Sequence, residues 1–402
     1  MDGCLEGVKI IEMGHVVAVP SAAAILADWG ADVVKVEAPE VGDQMRGITR
    51  IEGGKLADDI HYVFETMNRN KRGITLNLKQ EKGKNIMYEL VRKSDVFMSN
   101  FQPATLAKLE LGYQSLSQLN PRLVYASLSG YGNKGPGKDK PGYDYAAFWA
   151  NSGLMDKLSD PDGVPRRQRP GVGDNTTSMC IAAGISAALF AREKTGRGQE
   201  LSFSLYNTAV WTLQADIQVA LSMGEELPYG DVNRAANPLW NTYRTKDGRW
   251  MELCMLQPDI FWPRFCNAIG LGHLEHDPRF ESSQKREDNR EALIAIIKDA
   301  FAGKTLIEWE EILGKNDLFN CRVQTVSEVV NDPQAIENGF FTELDHPSGR
   351  RIRLVASPVL FNGARPPIRR SAPELGQHTE EVLLELDYTW DDIATFRDTG
   401  SI

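Results

Sequence analysis

The amino-acid sequence predicts an α/β protein with a Rossmann-like large domain and a second, smaller α+β domain. Three observations carry this expectation. Between Val8 and Glu37 the chain reads as one β-α-β unit: the apolar run Val8 to Met13, the loop GHVVAVPS, the apolar helix AAAILADWG closed by Gly30, and the strand DVVKVE. The alternation continues through GITLNL, the amphipathic EKGKNIMYELVRKS, DVFMSNF and RLVYASLSGYG, the order that builds a sheet with crossover helices. A length of 402 residues exceeds what one core usually serves, and an apolar content of 42% is ample to bury. The large domain is placed at 1–224, the small domain at 225–325, and a returning segment at 326–402 completes the large one.

The first turn of the opening β-α-β unit lacks the G-x-G-x-x-G spacing, which argues against a nicotinamide dinucleotide. From Asp43 to Arg72 the chain is charged and loop-like, and after RLVYASLSGYG a glycine loop runs into the aromatic stretch YDYAAFWA. In Arg166–Gln199 a lone acidic residue, Asp174, stands between the glycines Gly171 and Gly173 and an apolar helix from Met179 to Phe190, with capping types Asn175, Thr176 and Thr177 beside it. A carboxylate at such a junction lies near unpaired backbone N–H groups, which are expected to hold it ionised and to stabilise an oxyanion formed on it, simple helix capping being the plainer reading of any single Asp there. Beyond Tyr206 come one more helix, a hairpin turning at Asp247-Gly248, charged helices through Asn316, strands near RIRLV and a helical tail.

The formal charge of -10 and a pI near 5.3 disfavour nucleic acid and anionic membrane as partners, so a phosphate-bearing ligand needs local basic residues. Cys4, Cys180, Cys254, Cys266 and Cys321 are scattered, without a C-x-x-C pair, which fits a reducing, cytoplasmic setting. Asp2 and Glu6 stand where a secretory leader would be basic, and the longest near-apolar run, Met179 to Ala191, falls short of the ~20 residues that span a bilayer. Neither a P-loop nor metal-ligand spacing of His and Cys is present, so neither a nucleoside triphosphate nor a metal is expected.

The segment GVGDNTTSM followed by KTGRGQELSFSLYN resembles the active-site segment of the class III CoA-transferases, the family of formyl-CoA transferase and carnitine CoA-transferase. The stretch IIEMGHVVAVPSAAAILADWGADVVKVEAPEVGDQMRG, the strings NRNKRGITLNLK and SNFQPATLAKLELGY, and the terminal LGQHTEEVLLELDY are similar to that family too, in the same order. The resemblance implies coenzyme A as acyl-CoA co-substrate, a free carboxylic acid as its partner, and an interlocked dimer in which each chain threads the other. It implies CoA contacts at His15, Val16, Val17 and Ala18, at Asn70, Lys71 and Arg72, at Asn100, Phe101 and Lys108, and at Lys140, with Asp144 helping to order the active-site loop. His15 taken singly reads as a structural imidazole, and each Lys or Arg as a solvated charge; placement at strand carboxyl ends is what favours binding. Val17 departs from formyl-CoA transferase, which has glutamine there, and this disfavours a small polar acyl group such as oxalate.

The resemblance implies that Asp174 is a nucleophile that carries the acyl group as an anhydride and then CoA as a thioester. Two alternatives remain. The related α-methylacyl-CoA racemases need a histidine where this chain has Tyr143, a poor base at neutral pH. A non-catalytic subunit of a hetero-oligomer would lack the carboxylate that Asp174 supplies. Tyr143, Tyr145, Phe148 and Trp149 either face an acyl pocket or belong to the core; Trp149, Leu239, Trp240 and Tyr243 point to a bulky branched or aromatic acid, and Arg46 or Arg50 to a second carboxylate.

Overall fold

Residues 3–160 and 163–402 are described by a computed structural model; Asp2, used in the reading of the N-terminus, lies outside them. The chain opens with β1 (Lys9–Met13), α1 (Ala18–Asp28) and β2 (Asp32–Glu37), then a two-stranded ribbon of β3 (Arg50–Ile51) and β4 (Gly54–Lys55), then α2 (Tyr62–Asn68) and β5 (Lys71–Thr75). It continues through α3 (Glu81–Arg92), β6 (Val96–Ser99), α4 (Pro103–Lys108), α5 (Tyr113–Leu119) and β7 (Val124–Ser129). A π-helical turn at Asp144–Ala150 and the short α6 (Leu154–Lys157) precede α7 (Val172–Thr195), β8 (Glu200–Ser204), α8 (Leu205–Thr212) and α9 (Gln214–Met223).

The strands β5-β2-β1-β6-β7-β8 form one parallel sheet in that order. Alternate residues of each strand face opposite sides, so both sides need a cover. Ile10, Val33, Val96, Val124 and Leu128 pack with α1 and α7, whereas Ile11, Val34, Ile74, Phe97 and Tyr125 pack with α3, α5 and the C-terminal helices Thr379–Glu385 and Trp390–Asp398. The helix α1 is buried along its whole length except at Ser21, which is why its sequence is apolar on every face. In α7 the buried positions Gly173, Thr177, Ile181, Ile185, Ala188 and Arg192 recur at helical spacing.

Two compact units result. The first holds the described residues up to Met155, with Arg167–Glu226 and Pro333–Ile402; the second holds the described residues of Asp156–Arg166 together with Leu227–Asp332. Within the second unit, β9 (Trp240–Arg244), β10 (Trp250–Cys254) and β11 (Asn320–Arg322) form an antiparallel sheet over a core of Tyr243, Leu253, Trp262, Phe265, Phe301 and Trp309. The β9–β10 turn is wider than two residues: Gly248 takes φ +76° and its N–H donates to the Thr245 carbonyl. In the first unit, β12 (Phe341–Asp345) and β13 (Arg351–Val355) make a separate hairpin. Among the described residues, no helix is long and apolar enough to cross a membrane.

Buried charge runs through the first unit beneath the end of β1. Glu12 and Lys35 are register partners on β1 and β2, and both are fully buried. Lys35 Nζ donates to Glu12 Oε1 at 3.1 Å, to the Gly14 carbonyl at 3.0 Å and to Asp43 Oδ2 at 2.9 Å. Lys71 Nζ reaches the other Glu12 oxygen at 3.1 Å, the Pro20 carbonyl at 2.8 Å and Asn68 Oδ1 at 2.9 Å. Two ammonium groups thus share one carboxylate, and removing it leaves Lys71 without an ion-pair partner and Lys35 with Asp43 alone. Replacement of Glu12 by alanine is expected to lower unfolding stability by about 3–5 kcal/mol, read from denaturant midpoints; a loss below about 1 kcal/mol would mean the network is not structural.

Candidate active site

A cleft of about 560 Å³ opens at the carboxyl ends of β1, β6 and β7. The chain leaves β1 toward β2 on one side of the sheet and later takes up β6 on the other, so the cleft lies at the switch point where open α/β sheets bind ligands. Its walls are His15–Ala18 after β1, Asn100–Thr105 after β6, Leu128–Gly130 at the end of β7, and Asp139 with Pro141–Asp144. Gln44, Leu205 and Asp174 complete it.

The loop after β1 is held from several directions. Asn100 accepts the His15 N–H on Oδ1 and donates from Nδ2 to the His15 carbonyl, both at 2.9 Å. The imidazole stacks on Phe101 with ring centres 4.5 Å apart and planes 8° from parallel. Val16 takes φ +66°, a left-handed conformation that β-branched residues avoid at a cost of about 1–3 kcal/mol. Its N–H donates to Asp43 Oδ1 at 2.9 Å, which repays part of that cost. The turn delivers the chain into α1, where Pro20 lacks an N–H and no side chain caps the start. Ala18 and Val19 therefore keep N–H groups with no acceptor among the described residues, and Ala18 lines the cleft.

Asp174 sits in the first turn of α7, which begins seven residues before the Met179 start that periodicity predicts. The apolar run misses this turn because its buried positions are glycine, threonine and serine. Gly171, at φ +78°, is the residue before the helix and donates its N–H to Asp144 Oδ2 at 2.8 Å, while neither Asn175 nor the threonines cap the first turn. A Cβ on Gly173 would lie 2.2 Å from Phe148 Cγ and 2.3 Å from Asp144 Oδ1; only glycine lets the π-helical turn approach this closely. Ser178 Oγ donates to the Ala18 carbonyl at 2.7 Å, bridging the second turn of α7 and the start of α1. The carboxylate of Asp174 is thereby aimed at the cleft beside the start of α1.

The electrostatics differ from expectation. Burial pushes Asp174 up to about 7, and the negative charge of Asp144 adds to the rise. Burial also raises Asp144, against the N–H of Gly171 and the indole of Trp149. The α7 N–H groups do not hold Asp174 ionised, because Asp144 faces them, and the Asn175 N–H is already taken by the Gly171 carbonyl. Of the donors expected from the Gly173–Asn175 turn, the Asn175 N–H is thus taken, and those of Gly173 and Asp174 act on Asp144.

Of the residues singled out in the sequence, the cleft gathers His15, Val16, Val17, Ala18, Asn100, Phe101, Asp144 and Asp174. Lys108 ends α4, whose first turn lines the cleft, and Lys140 stands between the lining residues Asp139 and Pro141; both are exposed. Asn70, Lys71 and Arg72 are elsewhere. They open β5 instead of closing a strand, and their polar atoms are consumed. Asn70 pairs with Asp28 and with the N–H groups of Arg369 and Arg370, Lys71 is fully buried, and Arg72 binds Asp32, Glu381 and Glu385. Arg46 is likewise spent on Glu37, at 2.8 and 2.7 Å, so it does not await a second carboxylate. Tyr143 is exposed in the cleft wall; Phe148 and Trp149 are core, as are Leu239 and Tyr243 in the second unit. Sequence reading missed Asp43, Gln44 and the Leu128–Gly130 strand end, the last of which the carboxyl-end rule could have located.

A half-buried carboxylate and the first residue of α1 lining one cleft at a sheet switch point define an α/β ligand site. Comparison with known proteins gives the family: the profile of CoA-transferase family III matches residues 5–379, and the chain belongs to that family and is an enzyme of its class. It is 34% identical over 395 residues to the (R)-2-hydroxy-4-methylpentanoate CoA-transferase of Clostridioides difficile, covering 98% of each chain. It is 36% identical over 390 residues to the cinnamoyl-CoA:phenyllactate CoA-transferase of Clostridium sporogenes, covering 96% of this chain and 94% of that one. A crystal structure of a CaiB/BaiF family protein from Brucella suis superposes with a TM-score of 0.83 at 29% identity, covering 96% and 100% of the two chains.

Because the space at Gly173 is filled by Phe148 and Asp144, Gly173→Ala should displace the first turn of α7. Thioester exchange is expected to fall by roughly 100-fold with the circular dichroism spectrum preserved; unchanged exchange would show that the close approach is not needed.

Proposed function

We propose that this enzyme moves CoA from an acyl-CoA donor to a free carboxylic acid, with Asp174 as covalent carrier and a bulky branched or aryl-substituted acid as acceptor. The observation that carries the reading is the Asp174 carboxylate lining a cleft whose wall ends in the unpaired N–H groups of α1. The Asp174 oxygen attacks the thioester carbonyl, the C–S bond breaks, and a mixed anhydride and CoA thiolate result. The thiolate attacks the aspartyl carbonyl, giving an aspartyl thioester and releasing the donor acid as carboxylate. The acceptor carboxylate then attacks that thioester, a second anhydride forms, and the thiolate takes the new acyl group, restoring Asp174. Each tetrahedral oxyanion needs donors in place, and the Ala18 and Val19 N–H groups supply them.

The relatives named for 4-methylpentanoate and phenyllactate chemistry support a branched or aromatic acid. The apolar Val17 and Leu205 in the cleft wall agree with it. Lys108 and Lys140 at its border are the basic groups suited to CoA phosphates. A homodimer is part of the same proposal: α9 buries none of its residues within the chain although Leu221 and Met223 are 76% and 72% exposed, an apolar face suited to a second copy.

Asp174→Ala should lower kcat for exchange by at least about 100-fold while CoA binding persists. Wild-type enzyme given donor without acceptor should carry a hydroxylamine-sensitive CoA adduct within GVGDNTTSM. Full-rate exchange by the variant would refute the covalent route.

Attack requires the ionised carboxylate, so activity should be lost as pH falls through the raised Asp174 value near 7. Asp144→Asn removes the like charge and should move this acid limb of kcat/KM to lower pH. A limb that stays in place would assign the titration to another group.

A further inference from the structure

Asp43 lies beneath the cleft wall, and the loop after β1 converges on it. Its side chain is shut off from solvent. Oδ1 accepts the N–H groups of Val16 and Met45, both at 2.9 Å, and Oδ2 accepts from Lys35 at 2.9 Å. Its own N–H donates to Glu37 Oε1 at 2.8 Å. His15 Nδ1 lies 3.7 Å from Oδ1, is itself buried, and has no other partner among the described residues. The imidazole lines the cleft, so its opposite edge, with Nε2, is the one presented there.

We propose that Asp43 is a positioning residue for CoA transfer: it holds the His15–Ala18 loop in its left-handed turn and fixes His15 as the Nδ1–H tautomer, with the Nε2 lone pair toward the cleft. The inference rests on the reading of the cleft as the site of acyl transfer. At 3.7 Å the pair is too long for a hydrogen bond, but an ionised carboxylate repels a lone pair and attracts N–H, so the proton on the buried Nδ1 is favoured. Burial opposes that ionisation, but the imidazole, Lys35 and the two N–H groups outweigh it and hold Asp43 well below the usual carboxylate range. The other charges packed here, Glu12, Lys71, Glu37 and Arg46, are already paired with one another or with Lys35. Nε2 then offers an acceptor to an N–H or S–H of the CoA arm. Ala18 stands two residues beyond Val16, so a loop freed from Asp43 also misplaces the N–H aimed at the reacting carbonyl.

The test is Asp43→Asn, which keeps an oxygen for the Val16 N–H but removes the charge that faces Lys35 and His15. We expect kcat to fall roughly tenfold or more, with the donor KM changed by less than about threefold and thermal unfolding still cooperative. Nitrogen-15 spectra of the six histidines, with His15 assigned by its loss in His15→Gln, should show Nδ1 protonated in the wild type. The variant should move toward Nε2–H. Wild-type His15 in the Nε2–H form, or Asp43→Asn with unchanged kcat, would overturn the proposal. Should that variant not fold, the wild-type spectrum and His15→Gln decide: a folded His15→Gln with full kcat overturns it as well. The tautomer is read without any reaction, so an Asp174→Ala variant that stays active would refute the carrier while leaving the His15 result to stand or fall alone.

Discussion

Glu12, Lys35, Asp43 and Lys71 form a buried chain of charges, two of each sign, at the base of the cleft. Such a cluster is costly to desolvate, and it persists only because nearly every donor and acceptor in it is matched. What it secures is a backbone. Lys35 ties the Gly14 carbonyl, Asp43 ties the Val16 N–H, and Lys71 ties the Pro20 carbonyl, so the chain from β1 into α1 is pinned on both sides of the strained Val16. A loop that carries a β-branched residue at positive φ would otherwise relax, and the start of α1 would move with it.

The second half of the site depends on α1 in turn. Ser178 joins the second turn of α7 to Ala18, and Asp144 holds Gly171 from the π-helical turn, so Asp174 is placed by contacts made to two separate segments. Setting two carboxylates close together in a poorly solvated corner raises the proton affinity of Asp174. A carrier of this kind must attack as a carboxylate and later leave as one. For the covalent route proposed above, a basicity near neutrality suits both requirements, provided that the oxyanion donors come from another helix and do not neutralise the carboxylate in advance.

How far the sequence reaches can be judged from particular residues. Asp174 and the loop His15–Ala18 were legible because their motifs are contiguous, and the same holds for the β-α-β order that becomes the parallel sheet. Lys71 and Arg72 misled because a basic string beside a strand looks alike at either end of it. Only the register of β5 against β2, Val33 opposite Lys71, shows that they open the strand. Phe148 and Trp149 were ambiguous because an aromatic helix is as useful in a core as in a pocket, and here the core takes them.

By itself the sequence determined the α/β class, the repeated crossover units and the acidic residue at the head of the long helix, since each depends on local periodicity or on glycine placement. Tertiary structure alone decided which polar groups are spent and which are free. Arg46 and Lys71 are charged in the sequence yet already paired in the fold, whereas the N–H groups of Ala18, which lines the cleft, and of Val19 look ordinary in the sequence yet find no acceptor among the described residues. The reason is physical: a hydrogen-bonding group is defined by its partner, and the partners here lie 9 residues away for Arg46 and 59 for Lys71.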